Sequence, residues 1–112
     1  MTTAPTTFQV GHSPDPDDAF MFHAMTTGAI DTEGRDYQHV LLDIETLNKH
    51  AMEGTYEISA VSIHSFPLIA EKYHLMNCGA SMGEGYGPMV ISNKEMSEEE
   101  AKTKTIAIPG LG

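Results

Sequence analysis

Asp15, Asp17 and Asp18 lie within Gly11-His12-Ser13-Pro14-Asp15-Pro16-Asp17-Asp18-Ala19-Phe20, and carboxylates at this spacing offer two kinds of chemistry. As hard oxygen ligands they could hold Mg²⁺. At a helix start they would stabilise the helix, with Asp15 as N-cap, Pro16 at the first helical position, and Asp17 and Asp18 facing the positive end of the dipole. Adjacent side chains on a helix diverge by about 100°, so the three groups do not converge easily on one ion. No matching acidic cluster follows another strand end. Capping is the favoured reading, and the sequence predicts no metal centre.

The six histidines, at 12, 23, 39, 50, 64 and 74, are scattered, with no i, i+4 pair of the kind that binds metal on a helix. His74 and Cys78 make one weak pair without partners. His12 and His64 stand apart because each closes an expected strand, where an imidazole could line a cleft and titrate near neutrality. Three turns, 11–14, 62–65 and 79–87, are rich in hydroxyl, amide or glycine. On a parallel sheet they would share one edge. Ser13, Ser62, Ser65, Ser81, Asn48 and backbone amides would then form a cleft of neutral donors, suited to a small polar or carboxylate-bearing ligand. Gly83-Glu84-Gly85-Tyr86-Gly87 lacks the lysine and the strand–helix context of a phosphate loop and reads as a crossing or hinge segment. No Gly-x-Ser-x-Gly elbow or Cys/His pairing supports a nucleophilic hydrolase.

These residues need elements to position them, and strand and helix signals alternate along the chain. Strands are expected at 8–13, 37–42 and 58–63, an edge-like one at 73–78, and others at 88–91 and 105–108. Helices are expected at 16–27, closed by Gly28; at 44–53, capped by Asp43 and stopped by Gly54; at 65–72; and from 97. Ile44, Leu47 and Ala51 share one face of the second helix. The order argues for an α/β fold, a mostly parallel sheet with helices on both faces.

At 112 residues the chain fits at most one small domain. Its net charge of −10 repels phosphate backbones and anionic lipid, so neither nucleic acid nor a membrane is an expected partner. The start, Met1-Thr2-Thr3-Ala4-Pro5-Thr6-Thr7, is not a signal peptide, and one cysteine, Cys78, fits a reducing compartment, so a cytoplasmic location is expected. Residues 105–108 followed by the turn 109–112 read as an unfinished strand–turn unit. Residues 1–112 are therefore expected to be the N-terminal lobe of a longer protein, with a second lobe absent and a tendency to self-associate through the exposed lobe surface.

Four ordered blocks carry a resemblance: Ser13-Pro14-Asp15-Pro16-Asp17-Asp18-Ala19-Phe20-Met21-Phe22, Asp43-Ile44-Glu45-Thr46-Leu47-Asn48, Ser59-Ala60-Val61-Ser62-Ile63-His64 and Gly79-Ala80-Ser81-Met82-Gly83-Glu84-Gly85-Tyr86-Gly87-Pro88. Together they resemble the menaquinone-biosynthesis family of the futalosine route, in its 1,4-dihydroxy-6-naphthoate synthase branch. The resemblance implies a type II periplasmic-binding-protein-like fold, of which this chain is the first lobe. It implies a carbon–carbon lyase that converts cyclic dehypoxanthinyl futalosine into 1,4-dihydroxy-6-naphthoate without metal or organic cofactor. The substrate is a small-molecule carboxylate. Ser13, Asn48, Ser62 and His64 match the first-lobe part of the substrate cleft. The family's catalytic base is a second-lobe histidine, so no catalytic residue is assigned within this chain and the isolated chain is expected to be inactive. Two alternatives stand beside this reading: a solute-binding protein of the same superfamily without catalysis, and the sister enzyme that dehydrates chorismate.

Overall fold

The computed structural model describes residues 6–85 and 87–108. The expected turn at 109–112 lies outside them. Three parallel strands form the sheet in the order β2-β1-β3, with β1 at Thr6–His12, β2 at Arg35–Leu41 and β3 at Ile58–Ser59. Helix α1 (Pro16–Thr26) connects β1 to β2, and α2 (Ile44–Glu53) connects β2 to β3. A chain that steps outward on one side of β1 and then crosses to the other must place its right-handed crossover helices on opposite faces. The side chains agree. His12 stacks on Phe22 of α1, with ring centroids 4.3 Å apart. Its neighbour Gly11 points the other way, where an added Cβ would stand 2.8 Å from Leu47 of α2 and 2.9 Å from Tyr56. The chain has an α/β fold with helices on both faces of a small parallel sheet.

Local chemistry explains the two long helices unequally. Asp43 caps α2 as expected, accepting from the Thr46 amide at 3.0 Å and the Thr46 hydroxyl at 2.7 Å. Gly54 ends it in the left-handed region at φ 75°. The face of α2 that meets the sheet buries Leu47, Asn48 and Ala51. At α1 the capping expectation fails. Asp15 occupies the N-cap position, but its side chain makes no cap bond and instead accepts the Ser13 hydroxyl at 2.6 Å. Helix α1 buries no residue fully. The core is correspondingly small: Val10, Leu47, Ala51, Tyr56 and Ile69. Tyr56 is tied in by a hydrogen bond shared with His50 at 2.9 Å, and its carbonyl accepts from the Tyr73 hydroxyl at 2.7 Å.

Several sequence expectations need correction. The third strand, expected over 58–63, has two residues. After the Ala60 amide donates to Gly11 at 2.8 Å, the chain leaves the ladder because Ser62 is bound by Asn48. The helix expected over 65–72 becomes a 3-10 turn, Ile63–Ser65, followed by α3 at Phe66–Ile69. Residues 73–78, 88–91 and 105–108 form no strand. Apolar runs become strands only when a neighbour completes their hydrogen bonds, and here Val90, Ile91, Ile106 and Ile108 stay exposed. The last helix, α4 (Glu98–Ala101), is one turn long and held by a capping box between Ser97 and Glu100. The radius of gyration, 18.0 Å, exceeds the roughly 13 Å expected of a compact domain of this length, as an extended second region requires.

Candidate functional site

Because all three strands run parallel, the segments that leave β1 and β3 emerge on one edge of the sheet. The Ser13 turn and the Ser62–Ser65 turn therefore lie on the same side, as the strand order requires. Open parallel sheets bind ligands outside these carboxyl ends.

The best-built part of this edge is a polar network under the Ser62–Ser65 turn. Asn48, 5% exposed, holds Ser62 from both ends of its amide: its oxygen accepts from the Ser62 N–H at 3.0 Å and its nitrogen donates to the Ser62 Oγ at 3.1 Å. Ser62 and the buried Ser65 share a further hydrogen bond, Oγ to Oγ, at 2.8 Å. Each hydroxyl has one proton, so the pair spends one on itself and leaves one for another acceptor. Of the expected site residues, Asn48 and Ser62 are thus brought into direct contact, and Ser65 completes them. His64 lies exposed on the intervening 3-10 turn.

The Ser13 turn has a different character. The Ser13 N–H donates to Asp18 at 2.7 Å, and the hydroxyl proton goes to Asp15. Ser13 is present at the edge, but in this arrangement its hydroxyl can only accept. With Asp15, Asp17 and Asp18 crowding the start of α1, the turn suits a ligand hydroxyl better than a carboxylate. The Gly-rich segment reaches the same place. The Ser81 hydroxyl beside Asp17 is the main cause holding that carboxyl below its usual range, and a Cβ on Gly79 would stand 3.7 Å from Met21 of α1. So the Gly-rich segment packs against α1, without the expected strand at 73–78 to carry it.

Sequence reasoning left His39 among the scattered histidines, whereas the structure pairs it with His12: His12 Nε2 to His39 Nδ1 is 2.9 Å. His12 is 4% exposed and lies beneath Phe22, so it packs within the lobe. The signal was available in the period-two pattern. His39 stands opposite Val10 in the β1–β2 register, and Val10 and His12 share a face. Burial, and then the nearby His12, hold the His39 imidazole below its ordinary pKa.

Among the described residues no group of three or more His, Cys, Asp or Glu is placed to hold a metal ion. No described helix is long and apolar enough to cross a membrane. A groove of about 590 Å³ runs along residues 90–101, lined by Ser92, Lys94 and Met96 among others. It touches none of the residues above.

A parallel α/β lobe with a hydroxyl- and amide-lined strand edge is the class that fold and site define. The sequence profile of the menaquinone-biosynthesis family matches residues 8–111, and the chain belongs to that family. Two relatives are each named 1,4-dihydroxy-6-naphthoate synthase. One, from Thermus thermophilus, is 30% identical over 102 residues, which cover 91% of this chain and 36% of the relative. The other, from Streptomyces coelicolor, is 30% identical over 104 residues, 92% of this chain and 36% of its own length. The chain thus spans about a third of the relatives it matches. A crystal structure of an Archaeoglobus fulgidus protein is 49% identical, superposes with a TM-score of 0.68, and covers 72% of this chain and 30% of that one.

Proposed function

We propose that this chain is the first lobe of a cytoplasmic carbon–carbon lyase of menaquinone biosynthesis by the futalosine route. The reaction converts cyclic dehypoxanthinyl futalosine into 1,4-dihydroxy-6-naphthoate with no metal or organic cofactor, within a type II periplasmic-binding-protein-like fold. The observation that carries the reading is the Asn48–Ser62–Ser65 network at the carboxyl edge of a lobe that belongs to this family. Its uncommitted hydroxyl proton gives a substrate carboxylate a positioned donor. Ser13, with its hydroxyl turned to Asp15, receives a sugar-derived hydroxyl, and His64 stands at the rim. A surface of charge −10 does not steer an anion inward, so affinity rests on these local groups. The resemblance implies that the base that abstracts a proton comes from a second lobe, from which it must come within hydrogen-bond reach of the substrate.

The test is incubation of a protein containing both lobes with cyclic dehypoxanthinyl futalosine and assay for 1,4-dihydroxy-6-naphthoate. Turnover is expected there and none from residues 1–112 alone. Asn48→Ala in the two-lobe protein should cost about 1–2 kcal/mol, roughly five- to thirtyfold in turnover. Binding without turnover by the two-lobe protein would instead support a solute-binding role. Product formed by the 112-residue chain alone would move the base to His12 or His64.

A further inference from the structure

We infer that His12 and His39 form a directed two-imidazole relay that positions the Ser13 turn. The direction follows from the partners. The Ser13 carbonyl lies 3.0 Å from His12 Nδ1, and a carbonyl only accepts, so Nδ1 carries a proton. In neutral His12 the other nitrogen, Nε2, is then bare and must accept. The atom facing it at 2.9 Å, His39 Nδ1, is therefore the donor, which leaves His39 Nε2 bare as well. That nitrogen is buried and has no hydrogen-bond partner among the described residues. A bare nitrogen there forgoes a bond, while an N–H would be an orphaned donor, so the packing selects the same tautomer that the relay requires.

The groups facing the pair are few. Helix α1 supplies Phe22, stacked on His12 and edge-on to His39 at 5.7 Å. It also supplies Asp18, whose carboxylate is 3.8 Å from His12 Nδ1 and accepts the Ser13 N–H. Ser13 is thus held at its carbonyl by His12 and at its amide by Asp18, one bond on each side of the residue whose hydroxyl is bound to Asp15. Both imidazoles act through this turn and are positioning residues. Their importance to substrate rests on the proposed reading of the edge as a substrate cleft; their hydrogen-bond direction does not.

The tautomers can be read directly from uniformly ¹⁵N-labelled chain by long-range ¹H–¹⁵N correlation, at a pH well above the imidazole range. An imidazole free in water favours the Nε2–H form, and exposed His23, His64 and His74 supply that reference in the same spectrum. Expected are single Nδ1–H forms for both His12 and His39. His39→Gln, whose amide can still donate, should keep His12 in that form, whereas His39→Phe should release it to a mixture. An Nε2–H form of His39, or a tautomer mixture at His12 in the unaltered chain, overturns the relay even if the phenylalanine variant fails to fold. In the two-lobe protein, His39→Phe should raise KM roughly fivefold with little change in kcat, and His39→Gln should restore it. An unchanged KM overturns the positioning role. Failure of that protein to turn over the substrate overturns the proposed function, while the tautomer measurement stands on its own.

Discussion

Residues 6–73 and residues 74–108 contain similar apolar residues and treat them differently. In the first region Val10, Leu47, Ala51, Tyr56 and Ile69 are buried between sheet and helices. In the second, Met82, Met89, Val90, Ile91, Ile106 and Ile108 are all exposed. The difference is not hydrophobicity but partners. Strand β1 is paired with β2 along its whole length and with β3 at Val10 and Gly11, and its side chains meet helices above and below. The runs at 88–91 and 105–108 have no strand beside them, and a run of apolar residues with open backbone groups gains nothing by extending alone.

The sharpest way to break this comparison is a matched pair of truncations. Leu47 is fully buried and Ile91 is 89% exposed. Leu47→Ala should cost about 2–5 kcal/mol, against a total on the order of 3–10 kcal/mol for a lobe of this size. Urea unfolding followed by circular dichroism should show a large fall in midpoint or outright loss of the transition. Ile91→Ala should leave the midpoint where it was. A comparable loss from Ile91→Ala would mean that the second region packs against the first and that the contrast is false.

Asn48→Ala probes the same contrast through a polar group. It removes both bonds to Ser62 and leaves a half-buried N–H to find water, at a cost of about 1–3 kcal/mol. The same unfolding experiment measures it. A midpoint shift too small to detect would show that the network is surface decoration.

How far the sequence reveals this molecule depends on the same distinction. The order of strands and helices through Glu53, the Asp43 cap and the Gly54 stop were legible because local chemistry decides them. The shared edge of Ser13 and Ser62 followed from parallel topology. The strands at 73–78, 88–91 and 105–108 were misread because their residue types suit a strand but pairing is non-local. The role of Asp15 was misread because Ser13, two residues upstream, competes for its carboxylate. His39 was missed because its partner lies on another strand, visible only once the β1–β2 register is known.

A smaller effect separates the regions by pH. Burial and His12 depress the His39 pKa, so the folded lobe resists a proton that the unfolded chain accepts. This stabilisation is present above the unfolded value, about 6.5, and is lost as pH falls from there through the folded value. His39→Phe should show a shallower loss of stability over that window than the unaltered chain, measured as unfolding midpoint against pH. Equal slopes would remove His39 as a cause.

The smallest effect compares two helix caps of nearly equal local quality. Asp43 accepts from Thr46 N at 3.0 Å, and Ser97 accepts from Glu100 N at 3.2 Å while Glu100 accepts from Ser97 N at 3.0 Å. Judged by hydrogen bonds alone, the capping box at Ser97 is the more complete. Yet α2 buries Leu47, Asn48 and Ala51, whereas α4 has four residues and buries none. A helix that short does not persist on propensity, and its cap is not coupled to the core. Asp43→Ala should therefore lower global stability by about 1 kcal/mol. Ser97→Ala should leave the global unfolding midpoint unchanged and only speed hydrogen exchange at the Ala101 amide, which bonds to the Ser97 carbonyl at 2.9 Å. If the two substitutions shift the midpoint equally, α4 is coupled to the core and the division between the regions fails at its C-terminal end.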